Sequence, residues 1–454
     1  MKRAFPILVF LLSLTITGQA QTFIKPNNPA IKFTGSMFNH VTENRVIFYR
    51  HSQNFYSIPD NIAQANDVKA KTNTGITIYF KTDASQVEIH FKMMEGDNSS
   101  WLYSSYYIDG DSIGINKTKR DDVATYPDSA FSYTISSPGA GTHTYRIVLS
   151  TWSTVAFDGL TLTGNSESLE DFQLPEKPLY VAYGNSITHG RGQNIGDQTY
   201  PWLVAKNLGW ELYNIAVGGS KTSVPMATMI ANEMNVPIDY LSILIGYNDA
   251  IGAARDTNYY RKALIAFVDS IRKGHPETTI FVLGQTFTLA TENSNGDPVN
   301  FDDWRKVQKF VVDSLTTDGD TLIHYINGAD FTDYNDLKDP PTDMVHLSIA
   351  GAYRFGNRLA DTIEQILSMP SYLTEIKSRK NMLEIYPNPA GNKVTILNTN
   401  GEAERLQLFN INGKQLKVPV KPLDKNKIEM DVSDLPAGVY IIKSGNSSSR
   451  FIKR

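Results

Sequence analysis

The sequence predicts a multidomain protein: an N-terminal β-sandwich of jelly-roll type, a central α/β domain of three layers around a parallel sheet, and a small C-terminal β-sandwich. Three observations lead there. The chain has 454 residues, 41% hydrophobic and 20% charged, which is too long for one core and too apolar for a disordered chain. Residues 23–165 alternate apolar and polar side chains in short runs, with no helical period of useful length. Past residue 170 strand-like runs alternate with helical ones, until the tail from residue 383 returns to short alternating strands.

Composition excludes several classes. The 43 Lys and Arg nearly balance 47 Asp and Glu, so a net charge of −4 leaves no basic excess to neutralise phosphates and argues against a nucleic-acid partner. With no cysteine there is no disulfide, thiolate nucleophile or Cys-ligated zinc, and any nucleophile must be an oxygen or an amine. The 31 Gly, 23 Tyr and 21 Phe suit strands, turns and an aromatic surface.

In residues 1–20, Lys2 and Arg3 precede an apolar run at 7–14 and then Gly18, Gln19 and Ala20, the pattern of a secretory signal peptide. The run is shorter than the roughly 20 residues a membrane-spanning helix needs. Residues 21–168 read as the jelly-roll-like sandwich, with alternation at 75–80, 86–91 and 144–149 and a turn at Ile108-Asp109-Gly110-Asp111. Within it, Trp101, Tyr103, Tyr106 and Tyr107 cluster in "SSWLYSSYY"; alternation puts Trp101 and Tyr103 on one face, as core filling or, alternatively, as a sugar platform.

Residues 175–370 read as the α/β domain. Strands are expected at 179–183, 211–215, 240–245, 279–283 and 322–326, with helices near 200–208, 258–273 and 303–315 and a closing helix after Ser348. Residues 371–382 read as a linker. Residues 383–454 form the small sandwich, with strands at 393–397, 406–410 and 439–443 between Asn, Gly and Pro turns.

In parallel sheets ligands bind at the carboxyl ends of the strands, so those junctions carry the chemistry. The first strand runs into Gly184-Asn185-Ser186-Ile187-Thr188, where a serine on a tight turn is a candidate nucleophile or a helix cap. After the second strand, Gly218-Gly219-Ser220 exposes backbone N–H groups that can hold an oxyanion, or forms an ordinary glycine turn. The third strand ends in Gly246-Tyr247-Asn248-Asp249, where the Asn248 amide can donate to the same charge or shape a turn. Asp343-Met344-Val345-His346 lies on a pre-helix loop before Ser348, the expected N-cap of the last helix; there Asp343 can steady one ring nitrogen of His346 and leave the other to take a proton from serine.

The blocks "YGNSIT", "NIAVGGS", "IGYND" and "DMVHLS", in that order over about residues 178–367, resemble the SGNH hydrolase family, also called GDSL esterases. The resemblance implies Ser186 as nucleophile, His346 as base and Asp343 as its orienting partner, with the Ser186 N–H, Gly219 and Asn248 as oxyanion donors. Asn185 stands where the GDSL name has Asp, a change known in carbohydrate-active branches. A β-sandwich before such a domain is similar to carbohydrate esterase family two and related acetylxylan esterases. In the tail, "LEIYPNPAGNKVTI", "LFNINGK" and "LPAGVYIIK", closing on the basic "FIKR", resemble the C-terminal sorting domain of Bacteroidetes type IX secretion cargo.

These resemblances imply an exported serine esterase that deacetylates polysaccharides such as acetylxylan, handled by the type IX secretion machinery and without a membrane span. A lipase or phospholipase of the same fold and a non-catalytic glycan-binding surface protein are the alternatives. No cofactor and no metal is expected: Asp330, Asp333, Asp336 and Asp339 do not follow an EF-hand. The polar stretch Gly190, Arg191, Gly192, Gln193, Asn194 and Asp197 suits sugar hydroxyls better than lipid. His189 is expected to be a loop residue shaping the pocket, and Trp304 with the loop 291–300 to border the pocket or pack on the surface.

Overall fold

The computed structural model describes residues 20–58, 68–94, 101–125, 129–164, 168–368, 383–397, 406–410, 413–424, 427–444 and 447–454. Nearly all of the expected signal peptide (1–19) and the linker at 371–382 lie outside the described residues. The chain divides into two compact units, Met1–Ser368 and Met369–Arg454.

The first unit begins with two antiparallel sheets that share one core. One orders its strands His40–Val41, Val46–Ile47, Val155–Thr163, Gln86–Met93 and Ala130–Ser136, with Gln21–Ile24 also paired to Val155–Thr163. The other runs Lys32–Thr34, Thr77–Thr82, His143–Leu149, Trp101–Ile108 and Asp111–Lys119. Alternation sends Val87, Ile89 and Phe91 from the first sheet and Ile78, Phe80 and Ile147 from the second into the same cluster. Trp101 and Tyr103 are not core: they are half-buried, and the Lys117 ammonium sits 3.9 Å from the Trp101 ring centroid. Leu102 takes the inward position between them.

The α/β part is built on β1 (Leu179–Gly184), β2 (Glu211–Asn214), β3 (Tyr240–Leu244), β4 (Thr279–Leu283) and β5 (Ile323–Ile326), all parallel in the order β2-β1-β3-β4-β5. Its longer helices are α1 (Tyr200–Leu208), α2 (Val224–Glu233), α3 (Thr257–Gly274), α4 (Phe301–Thr317) and α5 (Ile349–Ser368). Successive strand residues face opposite layers. Val181 and Tyr183 pack with Met226, Leu264 and Val311 of α2, α3 and α4, while Tyr180 and Ala182 pack with Val204 and Phe355 of α1 and α5. Full burial of each large apolar side chain stabilises by roughly 1.5–3 kcal/mol, so both layers are held firmly to the sheet.

Two features depart from expectation. Helix α2 was not foreseen; Ser223 caps it by accepting the Met226 N–H, and Pro225 opens its first turn. The segment carrying Asp343 and His346 is a strand, Asp343–Leu347, paired antiparallel with Leu337–Asp339, rather than a loop. Ser348 then accepts the Gly351 N–H at 3.0 Å and starts α5.

In the second unit two four-stranded sheets share a core of Leu383, Val394, Ile396, Leu408, Met430, Tyr440, Ile442 and Phe451.

Candidate active site

The sheet order places β1 between β2 and β3, so the chain leaves β1 toward one edge and returns to its other side. That reversal opens a crevice at the carboxyl ends of β1 and β3. Ser186 follows β1 at the start of the short helix Ser186–His189, where the Asn185 side chain accepts the Ile187 N–H at 3.0 Å. The capping needs only a side-chain oxygen, which Asn supplies as Asp would. The Asn185 amide nitrogen is buried with no partner among the described residues.

The Ser186 hydroxyl lies 2.7 Å from His346 Nε2, and His346 Nδ1 lies 2.9 Å from both oxygens of Asp343. The bonding pattern assigns the proton to Nδ1, which donates to the carboxylate, and leaves Nε2 as acceptor for the serine O–H. Asp343 also accepts the backbone N–H groups of His346 and Val345. Burial opposes its ionisation, but the bonds and charge of His346 outweigh that, and its carboxyl sits below the usual range. Burial also lowers the His346 pKa; Arg191 and Lys338 add to the fall against the upward pull of Asp343, so the ring is a neutral base at pH 7.

The turn after β2 brings Gly218 and Gly219 alongside. Gly219 has φ +90°, a backbone region that only glycine enters freely. A Cβ at Gly218 would come within 2.7 Å of the Trp152 ring. Asn248, on the short helix Tyr247–Ala250 after β3, donates to the Ser220 carbonyl at 3.0 Å, which holds its amide beside the turn with a second N–H to spare. Asp249 is buried, receives the Thr222 N–H at 3.0 Å and pairs with Arg255 at 2.6 Å.

A cavity of about 390 Å³ gathers Ser186, Gly219, Asn248 and His346 and adds Lys69, Trp152, Arg191, Gly218 and Tyr247. Asp343 stands behind the His346 ring. Lys69 and Trp152 come from the sandwich region and escaped the sequence reading, because a contact between distant segments leaves no local pattern.

That region is built into the site. The Arg50 guanidinium, fully buried, donates to the carbonyls of Asn214 at 2.8 Å, Ala216 at 2.9 Å and Thr72 at 2.7 Å; burial pushes its pKa down to about 10, so it stays charged. His189, expected in a loop, ends the short helix and is buried. Its ring stacks on Trp152 at 4.0 Å and its Nδ1 accepts the Gly218 N–H at 3.1 Å. Its Nε2 donates to Thr72 Oγ1 at 2.7 Å and the Thr151 carbonyl at 3.0 Å. Burial drives its pKa well below the usual value, which keeps Nδ1 free to accept.

Other expected pocket residues lie elsewhere. Of the stretch 190–197 only Arg191 lines the cavity; Gln193 donates to the Leu347 carbonyl, and Asp197 accepts the Tyr107 hydroxyl at 2.6 Å, so polar groups meant for sugar serve packing. Trp304 is buried in the core against Tyr260. In the acidic loop, Asp336 pairs with Arg354 and Asp333 caps a short turn. Among the described residues no group of three acidic or His side chains could hold a metal ion, and no helix is long and apolar enough to cross a membrane.

The sequence over residues 182–354 matches the GDSL-like Lipase/Acylhydrolase family, and that over 384–454 matches the Secretion system C-terminal sorting domain. No curated protein matches the chain. Among solved structures it is similar to the salicylyl-acyltransferase SsfX3 from a tetracycline biosynthetic pathway, at 19% identity and TM-score 0.65 over 78% of this chain and 98% of that one. It is also similar to a family two carbohydrate esterase from Cellvibrio japonicus (14%, TM-score 0.54, 77% and 99%). A third is an acetyl xylan esterase from the rumen bacterium Butyrivibrio proteoclasticus (13%, TM-score 0.52, 77% and 98%). These spans reach well beyond residues 182–354, so the likeness of fold takes in the N-terminal sheets. The chain thus carries a GDSL-like lipase/acylhydrolase domain of SGNH fold and ends in a type IX secretion sorting domain, which directs it to the cell surface or beyond.

Proposed function

We propose that this protein is a serine esterase that removes acetyl groups from polysaccharides such as acetylxylan. Ser186 Oγ attacks the ester carbonyl as its proton passes to His346 Nε2, and Asp343 stabilises the imidazolium. The negative charge on the carbonyl oxygen is met by the N–H groups of Ser186 and Gly219 and the Asn248 amide. Collapse expels the sugar hydroxylate, which takes the proton from Nε2. Water, deprotonated by His346, then attacks the acyl-enzyme and releases acetate and free Ser186.

The observation that carries this reading is the relay from Ser186 to His346 to Asp343 beside the Gly219 turn in one open cavity. The acetyl and saccharide assignment is supported by the carbohydrate esterases among the structures of similar fold. We read residues 21–168, 175–370 and 383–454 as three domains, with 371–382 as linker. The first is a jelly roll, an assignment supported by a chain that passes repeatedly from one sheet to the other between residues 77 and 163.

The test is kcat/KM on acetyl, butyryl and octanoyl esters, with acetate release from acetylated xylan and mannan. A buried methylene is worth about 0.8 kcal/mol, so a lipase improves with chain length, whereas an acetyl pocket loses activity beyond two or three carbons. Best efficiency on octanoate with no acetate from either polysaccharide refutes the assignment, and a folded Ser186→Ala variant of undiminished activity refutes the mechanism.

A further inference from the structure

The cavity carries charge that acetyl transfer alone leaves unused. Among the described residues that line it, Lys69 and Arg191 are cations and none is a carboxylate. Asp343 is turned to the far nitrogen of His346, and Asp249 is buried against Arg255. Lys338 adds a third cation whose field, with that of Arg191, reaches His346. This concentration runs against the grain of a chain with net charge −4.

Arg191 is set on a firm base. Its N–H donates to the Ser186 carbonyl at 2.8 Å, while the Trp152 indole N–H holds the Gly190 carbonyl at 2.9 Å and Gln193 holds the Leu347 carbonyl at 2.8 Å. Its side chain is exposed, lies 5.5 Å from the Trp152 ring centroid and makes no hydrogen bond or ion pair with the described residues. Arg45, Arg255 and Arg272, by contrast, are each paired to a carboxylate. A guanidinium fork matches a carboxylate in two parallel hydrogen bonds, and an indole face beside it suits the apolar face of a sugar ring. Lys69, 3.4 Å from the Gly218 carbonyl, lends its field to the same region.

We propose that the site prefers acetyl esters on acidic glycans, in which a uronic acid lies next to the acetylated sugar and its carboxylate binds Arg191. This rests on the esterase reading above. The test compares two acetylated xylo-oligosaccharides, one with glucuronic acid beside the acetylated residue and one whose carboxyl group has been reduced to the alcohol. At low salt kcat/KM for the acid should be higher by about tenfold or more, as expected for a charge-assisted bidentate contact. At about 0.5 M NaCl the ratio should shrink severalfold, because an exposed pair is screened over a few ångströms. In Arg191→Gln the acid-to-neutral ratio should fall toward one, whatever happens to the absolute rates. A wild-type ratio near one, a ratio indifferent to salt, or an unchanged ratio in the folded variant overturns the proposal. If acetate is released equally from both substrates the esterase reading stands; if neither is cleaved the preference is refuted, and failure on 4-nitrophenyl acetate as well takes the esterase reading with it.

Discussion

Replacing His189 by alanine should damage catalysis although the residue never reaches the substrate. The ring carries the Gly218 N–H on Nδ1 and supports Trp152, so its removal strands a buried donor and opens a hole beneath the indole. An unpaired buried N–H costs roughly 1–3 kcal/mol, and truncating a buried aromatic ring about 3–5 kcal/mol, so the unit should be destabilised yet testable at low temperature. Losing one oxyanion donor outright costs about 10²–10³ in kcat. His189→Ala loosens the Gly219 turn rather than deleting its donor, which places the loss at about 10- to 100-fold in kcat, with KM moving far less. His189→Asn, whose side-chain oxygen lies near the position of Nδ1, should recover most of it. The assay is steady-state turnover of 4-nitrophenyl acetate on variants shown to be folded by circular dichroism. Wild-type kcat in folded His189→Ala, or equal losses in the Ala and Asn variants, would refute this account of how the turn is held.

The His346 pKa is lowered and the ring must be neutral to accept the serine proton, so kcat/KM should rise with pH through a midpoint below 6.5; a midpoint above 6.5 would contradict the geometry. His189 has a depressed pKa in the folded state, so the unfolded chain takes up its proton first as pH falls below about 6.5, and chemical denaturation should show stability dropping by about 1.4 kcal/mol per pH unit more in wild type than in His189→Asn. Asp343→Asn should lose less kcat than His346→Ala, because Asp343 orients a base that can still take the proton; equal losses would count against that division of roles. Removing residues 383–454, which have a core of their own, should leave kcat/KM within about twofold while abolishing export in a host with the secretion system; collapsed activity in a folded truncate would overturn it.

Much of the hydrolase sheet was legible because short, near-continuous apolar runs, as befits strands buried on both faces, alternate with helical stretches: β1, β4 and the helix α1 fall within a residue of their expected bounds. The meeting of Ser186, Gly219 and Asn248 at one cavity was legible for a topological reason, since parallel strands carry their following residues to one edge; His346 reaches it from the short antiparallel strand Asp343–Leu347. Helix α2 escaped because its start, Ser220 to Pro225, is dense in turn formers and its Met and Ala residues give a weak face. The Asp343 strand was mistaken for a loop because five residues beside two prolines offer little alternation. Lys69, Trp152 and the buried role of His189 were beyond reach, as each depends on segments more than 30 residues apart meeting in space.

The Arg50 anchor bears on how such proteins descend. The carbonyls it holds lie on the strand end and turn that lead to Gly219, so an arginine from the N-terminal sheet region sets backbone used by the hydrolase site within the same compact unit. Recombination that exchanged the sandwich for an unrelated one would strand Asn214, Ala216 and Gly218 and spoil the hydrolase in the same event. Lineages should therefore inherit the two as a pair, with substitutions at residues 50, 72, 152 and 189 tracking one another, whereas the sorting tail, with its separate core, is free to be gained or traded.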